Sequence, residues 1–433
     1  MPGSDRRTGD LLVVTATAVT PVAVQDPPLL NASGCHQPYQ LRSIIEVHTA
    51  AGITGISEAY GDDATLALLA VGVAALPGLD VFDLHGLTSR VTEVLGNVVS
   101  SSFTELIGPA SRDKTVAQVV GAFEVALLDI QGKALGRPVA DLLGGAVRDT
   151  VDFSAYLFYK WAEHPAGSSS FAPDDWGTAL DPDGIVAQAR RMVDTYGFGS
   201  LKLKGGVFAP EEEIEAVKAL RAAFPDHPVR LDPNANWTVQ TSLRVAKELE
   251  GELEYLEDPT PGISGMAEVA ARTSLPLATN MCVTAFADIP ESVRLGAVQV
   301  ILSDHHFWGG LHQSQRLAGI CDTFGLGLSM HSNTHLGISL AAMTHLAAAT
   351  PNLTYALDTH FPWKTEEVIQ PGVLNFSGGA LRVPTGPGLG VEIDRDALAR
   401  LHEQYQRCGI HSRDDLAHMR LAQPHFTGRR PRF

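Results

Sequence analysis

From residue 200 onward the chain repeats one pattern, a short apolar run that ends in a polar side chain. SLKLK, VRLDPNANW, LEYLEDP and LATN place Lys204, Asp232, Glu257 and Asn280 at their ends; VQVILSD, GLGLSMH and LTYALD place Asp304, His331 and Asp358. From Asp232 on, these polar residues lie 25, 23, 24, 27 and 27 positions apart, room for one strand, one helix and two short loops. With FSAYLFY as a first strand the series has eight members, which predicts a (β/α) barrel whose strand C-termini converge on one mouth. Lys202 and Lys204 stand two apart, so they project from one face of their strand.

Ahead of the barrel the period changes twice. Residues 11–60 alternate like strands (LLVVTATAVTPVAV, LRSIIEVHTA, GITGISEAY), interrupted by QDPPLLNASGCHQPYQ. The prolines and glycine of that segment predict a loop, placed to serve as a flap. From Asp63 to about Gly145 the spacing is helical, most clearly in AQVVGAFEVALLDIQGKALG. The fold class expected is α/β: a (β/α)7β TIM-like barrel with an N-terminal α+β capping domain, completed by the C-terminal tail. The capping domain is read as residues 1–150 with its flap at about 25–40, the barrel as 151–380 with an irregular insert from Lys160 to about Asp183. The segment 381–433, with VPTGPGLGVEID and the helix-like DALARLHEQYQRCG, falls outside the repeat and is expected to pack on the capping domain.

Composition narrows the class. A formal charge of −17 with no Lys/Arg cluster argues against a nucleic-acid surface. Cys35, Cys282, Cys321 and Cys408 are scattered, with no CxxC pair, and read as free thiols of a reducing, cytoplasmic setting. No apolar run approaches the ~18 residues of a membrane span, and Asp10 with alternating threonines makes residues 10–24 a strand rather than a secretion signal.

The polar ends of the barrel runs suggest a chemistry. Two carboxylates and a carboxamide (Asp232, Glu257, Asn280) form an oxygen-only donor set that suits Mg²⁺ better than Zn²⁺. A cation there, with Lys202, could stabilise the charge formed when a proton leaves the carbon beside a carboxylate. Lys204, near both positive charges, is expected to have a lowered pKa and act as a base. Across the barrel His331 follows Asp304 by one run, a carboxylate placed to fix the imidazole tautomer. Each signal has a plainer reading: Lys-x-Lys as a solvated edge, Asp-Pro-Asn and Glu-Asp-Pro as turns, Tyr156 and Phe158 as core. His305, His306 and His345 read as structural, and Gly386-x-Gly388-x-Gly390 as a turn.

The segments KLKGGV, LDPNANW, LEDP, LATNM, DHHFW, MHSNTHLGISLAAMTHLAAATP, ALDTHF, PGLGVEID and SRDD resemble the D-glucarate dehydratases, in the mandelate-racemase branch of the enolase superfamily. The resemblance implies Mg²⁺ at Asp232, Glu257 and Asn280, Lys204 as one base with Lys202 polarising the carboxylate, and His331 paired with Asp304 as the base that takes the C5 proton of D-glucarate. It further implies that Asn31, His36, Thr115, Tyr156, Asn234, Ser332, Asn333, His360 and Arg413 hold the hydroxyls and the distal carboxylate. TPGISGM stands where a longer acidic loop is expected, which leaves Glu257 as the second ligand with Asp258 the alternative, and DHHFW and HSNTHLG replace DPHFW and HSNNHFD. The expected activity is dehydration of D-glucarate, with L-idarate as a second substrate. The alternatives are another acid sugar such as galactarate, or a catalytically silent diacid-binding barrel. The implied partner is a small-molecule diacid sugar, with neither nucleic acid nor membrane, and symmetric homo-oligomers are the usual assembly.

Overall fold

The computed structural model describes residues 11–101, 108–165 and 174–433. The alternating N-terminal stretch forms an antiparallel sheet from β1 (Val14–Gln25), β4 (Tyr39–Thr49) and β5 (Thr54–Tyr60), in the order β1-β4-β5. Pro21 sits within β1 opposite Ser43; it is tolerated because β1 is the edge strand and needs no second ladder. The segment predicted as a loop contains a short hairpin, β2 (Leu30–Asn31) with β3 (Gly34–Cys35). Its turn is closed locally, because Asn31 Oδ1 accepts from the amides of Ser33 and Gly34.

The helix Arg112–Leu135 is capped by Ser111, which accepts from Lys114 N, and ends at Gly136 in the left-handed region. It is the one helix among the described residues long and apolar enough to cross a membrane by length and composition. It is instead the core helix between the cap sheet and the barrel, and its polar exceptions are anchored at both ends. Glu124 accepts from Leu311 N on the barrel side. Asp129 accepts from Ile56 N at 2.9 Å and from Leu389 N at 2.8 Å. Gly388 must lack a side chain, since a Cβ there would lie 2.1 Å from Asp129 Oδ1, so the glycine run serves a close approach.

The barrel strands are β6 (Thr150–Phe158), β7 (Leu201–Lys204), β8 (Val229–Asp232), β9 (Tyr255–Glu257), β10 (Leu277–Thr279), β11 (Val300–Ser303), β12 (Gly327–Met330) and β13 (Leu357–Thr359). They run parallel in sequence order, and β13 returns to pair with β6. The β12–β13 seam is closed by Tyr355 N donating to Leu328 O and by Ser329 Oγ donating to Ala356 O. A helix follows each strand through β12, whereas β13 is followed by a short 3-10 turn, Phe361–Trp363. The hairpin β14 (Phe376–Ser377) and β15 (Ala380–Arg382) adds antiparallel to β6.

The insert after β6 is irregular where described, with Lys160 paired to Asp174 at 3.0 Å; its residues 166–173 lie outside the described residues. The late helix Arg395–Cys408 lies against β1, where His402 Nδ1 meets Pro21 O at 2.8 Å and Gln404 donates to Ala23 O at 2.9 Å.

Candidate active site

Strand length and register place the polar ends of the runs side by side. Lys202 pairs with Arg230, and Lys204 with Asp232, along β7 and β8. Lys202 is fully buried beneath the mouth, where its ammonium reaches Glu257 and Asp358, each at 2.7 Å, and Asp232 at 3.7 Å. Lys204 Nζ donates to Asp232 Oδ2 at 2.6 Å and to Asn234 Oδ1 at 2.5 Å. The Asn280 carboxamide ends 3.2 Å from Glu257 Oε1 and 3.1 Å from Asp258 Oδ2. Asp232, Glu257 and Asn280 therefore converge on one small region. Asp258 is committed elsewhere: Thr279 Oγ1 donates to its Oδ1 and Asn280 N to its Oδ2. Glu257 Oε2 accepts no well-directed hydrogen bond although Lys202 lies against it, so of these two carboxylates Glu257 is the more available to a cation.

The charges do not balance without a further cation. Among the described residues, Asp232, Glu257, Asp258 and Asp358 are buried around Lys202 and Lys204, while Arg230, which also acts on Asp358, is paired with a further acid, Glu254. Burial works against the Lys202 ammonium, but Asp358 and Glu257 hold its pKa well above the usual lysine range. Burial likewise works against ionised Asp232, and Lys204 and Lys202 still bring it below the usual carboxylate range. The surplus falls on the remaining acids. Burial, together with Asp232 and Asp358, pushes Glu257 well up, and burial pushes Asp258 to about 7. A divalent cation supplies the missing positive charge, and the all-oxygen donors fit a hard ion such as Mg²⁺.

The other arc of the mouth is organised around Asp304. His331 Nδ1 lies 3.1 Å from Asp304 Oδ2. His306, read from sequence as structural, takes the other oxygen through its backbone N at 3.0 Å and its Nδ1 at 2.8 Å. Burial opposes ionisation of Asp304, yet His306 and its bonds to the imidazoles hold its pKa well below the usual range. His306 Nε2 continues to Ser339 Oγ and to Arg42, whose Nε donates to Glu58 at 2.7 Å. Glu58 also accepts from Leu336 N and Ser339 N, so the cap sheet reaches His331 through four side chains, Glu58, Arg42, His306 and Asp304. His331 and His335 do not form a helical metal pair, because the next helix begins at Gly337.

Above these groups lies a cavity of about 340 Å³, lined by Lys204, His331, Asn234, Tyr156, His360, Ser332, Asn333, Asn31, His36 and Arg413 among others. Arg413 is fixed by Asp415 at 2.7 Å, by Asn333 Oδ1 at 3.2 Å and by His36 Nε2 at 3.0 Å. Asn31 donates to the same Asp415 carboxylate at 2.8 Å. Burial, with His36, His331, His335 and Arg413 nearby, lowers His360 well below the usual imidazole range, so it stays neutral. Ser332 Oγ is buried without a hydrogen-bond partner among the described residues, a polar atom available to a ligand hydroxyl. Tyr156 lies between roles: its hydroxyl is 3.5 Å from Asp232 Oδ2, while its ring packs against Phe158.

Thr115 departs from the expectation. It is buried in the long core helix, gives its hydroxyl to Ser111 O and accepts from Ser100 N at 2.9 Å. It thereby supports the segment carrying Ser101, which does line the cavity. Asp358 and Asp415 were not singled out as site residues. The first carried a signal, a charge at the end of an apolar run; the second, in SRDD, carried none of its own.

Two family descriptions match the chain: Mandelate racemase / muconate lactonizing enzyme, N-terminal domain, over residues 14–144, and Enolase C-terminal domain-like over residues 184–397. A Streptomyces coelicolor protein named probable glucarate dehydratase is 57% identical over 425 residues, 96% of this chain and 97% of that one. The chain belongs to the mandelate-racemase branch of the enolase superfamily, with the glucarate dehydratases. Among solved enolase-superfamily structures, one from Thermobispora bispora complexed with magnesium and formate has a TM-score of 0.95 at 60% identity, covering 98% of this chain and 100% of that one. One from Mycobacterium smegmatis complexed with tartrate has a TM-score of 0.94 at 61% identity, covering 99% and 100%.

Proposed function

We propose that this chain is a Mg²⁺-dependent hydro-lyase that converts D-glucarate into 5-dehydro-4-deoxy-D-glucarate. The observation that carries the reading is that Lys204 and the Asp304-bonded His331 line one cavity from different arcs of the barrel. Their strands, β7 and β12, are three steps apart through β13 and β6 and five the other way. Asp232, Glu257 and Asn280 would hold Mg²⁺, which when bound supplies positive charge beside the substrate carboxylate as the neighbouring carbon loses its proton.

His331 takes the C5 proton through Nε2, since Nδ1 is engaged by Asp304, and Asp304 stabilises the imidazolium formed. The C5–H electron pair moves toward the C6 carboxylate. As it returns, the C4–O bond breaks, and the imidazolium gives its proton to the departing hydroxyl, which leaves as water. The resulting enol becomes the 5-keto product. Lys204, on the other arc, is the base for the C5 epimer, L-idarate. Arg413, steered by Asp415 and His36, meets the distal carboxylate, with Asn31 and Asn333 beside it. The named glucarate dehydratase relative and the tartrate-bound neighbour, whose ligand is a hydroxylated diacid, support this substrate class. The four free cysteines support a reducing, cytoplasmic setting.

The test is a panel of acid sugars followed by NMR with Mg²⁺ in D₂O. D-glucarate and L-idarate are expected to give one keto product, with deuterium entering C5 of recovered substrate. Preferred turnover of galactarate would move the reading to that diacid, and no turnover of any panel member would overturn it.

A further inference from the structure

The chain's last described residues reach back over the lysine arc. Arg432 N donates to Asn236 Oδ1 at 3.0 Å, and Phe433 N to Asn236 O at 3.1 Å. Arg432 Nη2 donates to Gly206 O at 2.7 Å and to Val207 O at 3.0 Å. These acceptors belong to the loops that follow Lys204 and Asp232. Arg430 completes the strap: Nη1 donates to Asn234 O at 3.0 Å, and Nη2 to Ser33 Oγ in the flap hairpin at 2.8 Å.

Asn234 is the point where this strap meets the chemistry. Its φ is 56° and that of Ala235 is 58°, a left-handed pair that non-glycine side chains rarely adopt. Asn234 N donates to Asp232 Oδ1, and its Oδ1 accepts from Lys204 Nζ at 2.5 Å. A loop in this conformation persists only where its surroundings impose it. The tail does so from outside through Asn234 O and Asn236. The supports of His331 run by a different route, through Asp304, His306, Arg42 and Glu58.

We propose that Arg430 is a positioning residue for the Lys204 face of the site: with Arg432 it fixes the Asn234 loop, and through Ser33 it couples that loop to the flap. The inference rests on the two-base reading above and predicts a loss that falls mainly on one epimer. In Arg430→Ala, kcat for L-idarate falls roughly tenfold to a hundredfold, the range expected when a reacting group is displaced by up to an ångström, a clearly larger loss than for D-glucarate, which shares Asp232 and Asn234 but takes its base from the other arc. Arg430→Lys recovers part of the loss, because a single ammonium cannot reproduce the planar fork that meets two acceptors. Hydrogen exchange without substrate should quicken at residues 234–237 in Arg430→Ala and stay unchanged at 304–306. Equal losses for both epimers, or unchanged exchange at 234–237, would overturn the strap's role. Wild-type enzyme that dehydrates D-glucarate yet ignores L-idarate would overturn it as well. Wild-type enzyme inert toward D-glucarate breaks the dehydratase reading instead.

Discussion

The lysine arc of the mouth and the histidine arc hold their working groups by different means. On the lysine arc, Lys202, Lys204, Asp232, Glu257 and Asn280 come from neighbouring strand ends and bind chiefly one another, in a lattice that Asp258 and Asp358 tip toward acid. On the histidine arc, His331 depends on a line of partners that leaves the barrel and ends at Glu58 in the cap sheet. Ion pairing within one layer gives the first arc its order, and inter-domain hydrogen bonding gives the second. A perturbation of the cap sheet should therefore reach the histidine before the lysines.

The largest expected effect separates the two arcs directly. His331→Asn should lower D-glucarate dehydration by about 10²–10⁴-fold, the usual worth of a general base, while C5 exchange from L-idarate persists through Lys204. Equal loss of both reactions, read by NMR, would erase the distinction between the arcs.

Next in size is a stability effect at the root of the histidine arc. Burial works against ionised Glu58, but Arg42, His335 and the amide of Leu336 lower its pKa from 4.5 to about 2. A lowered carboxylate stabilises the fold above its unfolded pKa, and that stability is lost as pH falls through its folded one. A shift of this size corresponds to about 3 kcal/mol. Glu58→Gln should therefore unfold at lower urea than the wild type at pH 7, with the gap shrinking below about pH 4.5 as the wild type loses its advantage. A gap independent of pH would assign the effect to shape rather than charge.

The smallest effect concerns the cover over both arcs. Arg413→Lys keeps the charge but loses the fork that spans Asp415 and His36. KM for D-glucarate should rise about tenfold, equivalent to about 1.4 kcal/mol, with little change in kcat. A fall in kcat at constant KM would place Arg413 in the chemistry instead of at the distal carboxylate.

The same contrast explains what could be read from the chain. The lysine arc was legible because each working residue ends an apolar run, so one periodicity reports both the strand and the direction its end faces. Asp304 and His331 shared that signal. His306 did not: its bonds to Asp304, Ser339 and Arg42 depend on a tight turn after β11 and on packing against the cap. Asp415 and Arg430 were harder still, since the tail has no repeat and its targets lie 384 and 397 residues away. The flap hairpin was hidden by its own turn chemistry, in which one asparagine side chain closes a ladder only two residues long. Thr115 is the opposite case: the resemblance places it at the ligand, while in the fold its hydroxyl meets Ser111 O and it stands behind the segment 100–101 at the cavity edge.

The Asp129 carboxylate has a consequence for how the molecule is born. One oxygen serves Ile56 and the other Leu389, 260 residues further along. As the polypeptide leaves the ribosome, the cap must wait through the making of every barrel strand before that second partner exists. A nascent chain stalled at residue 380 would carry a buried acid half provided for, and arrest there followed by limited proteolysis should find the cap looser than in the released protein.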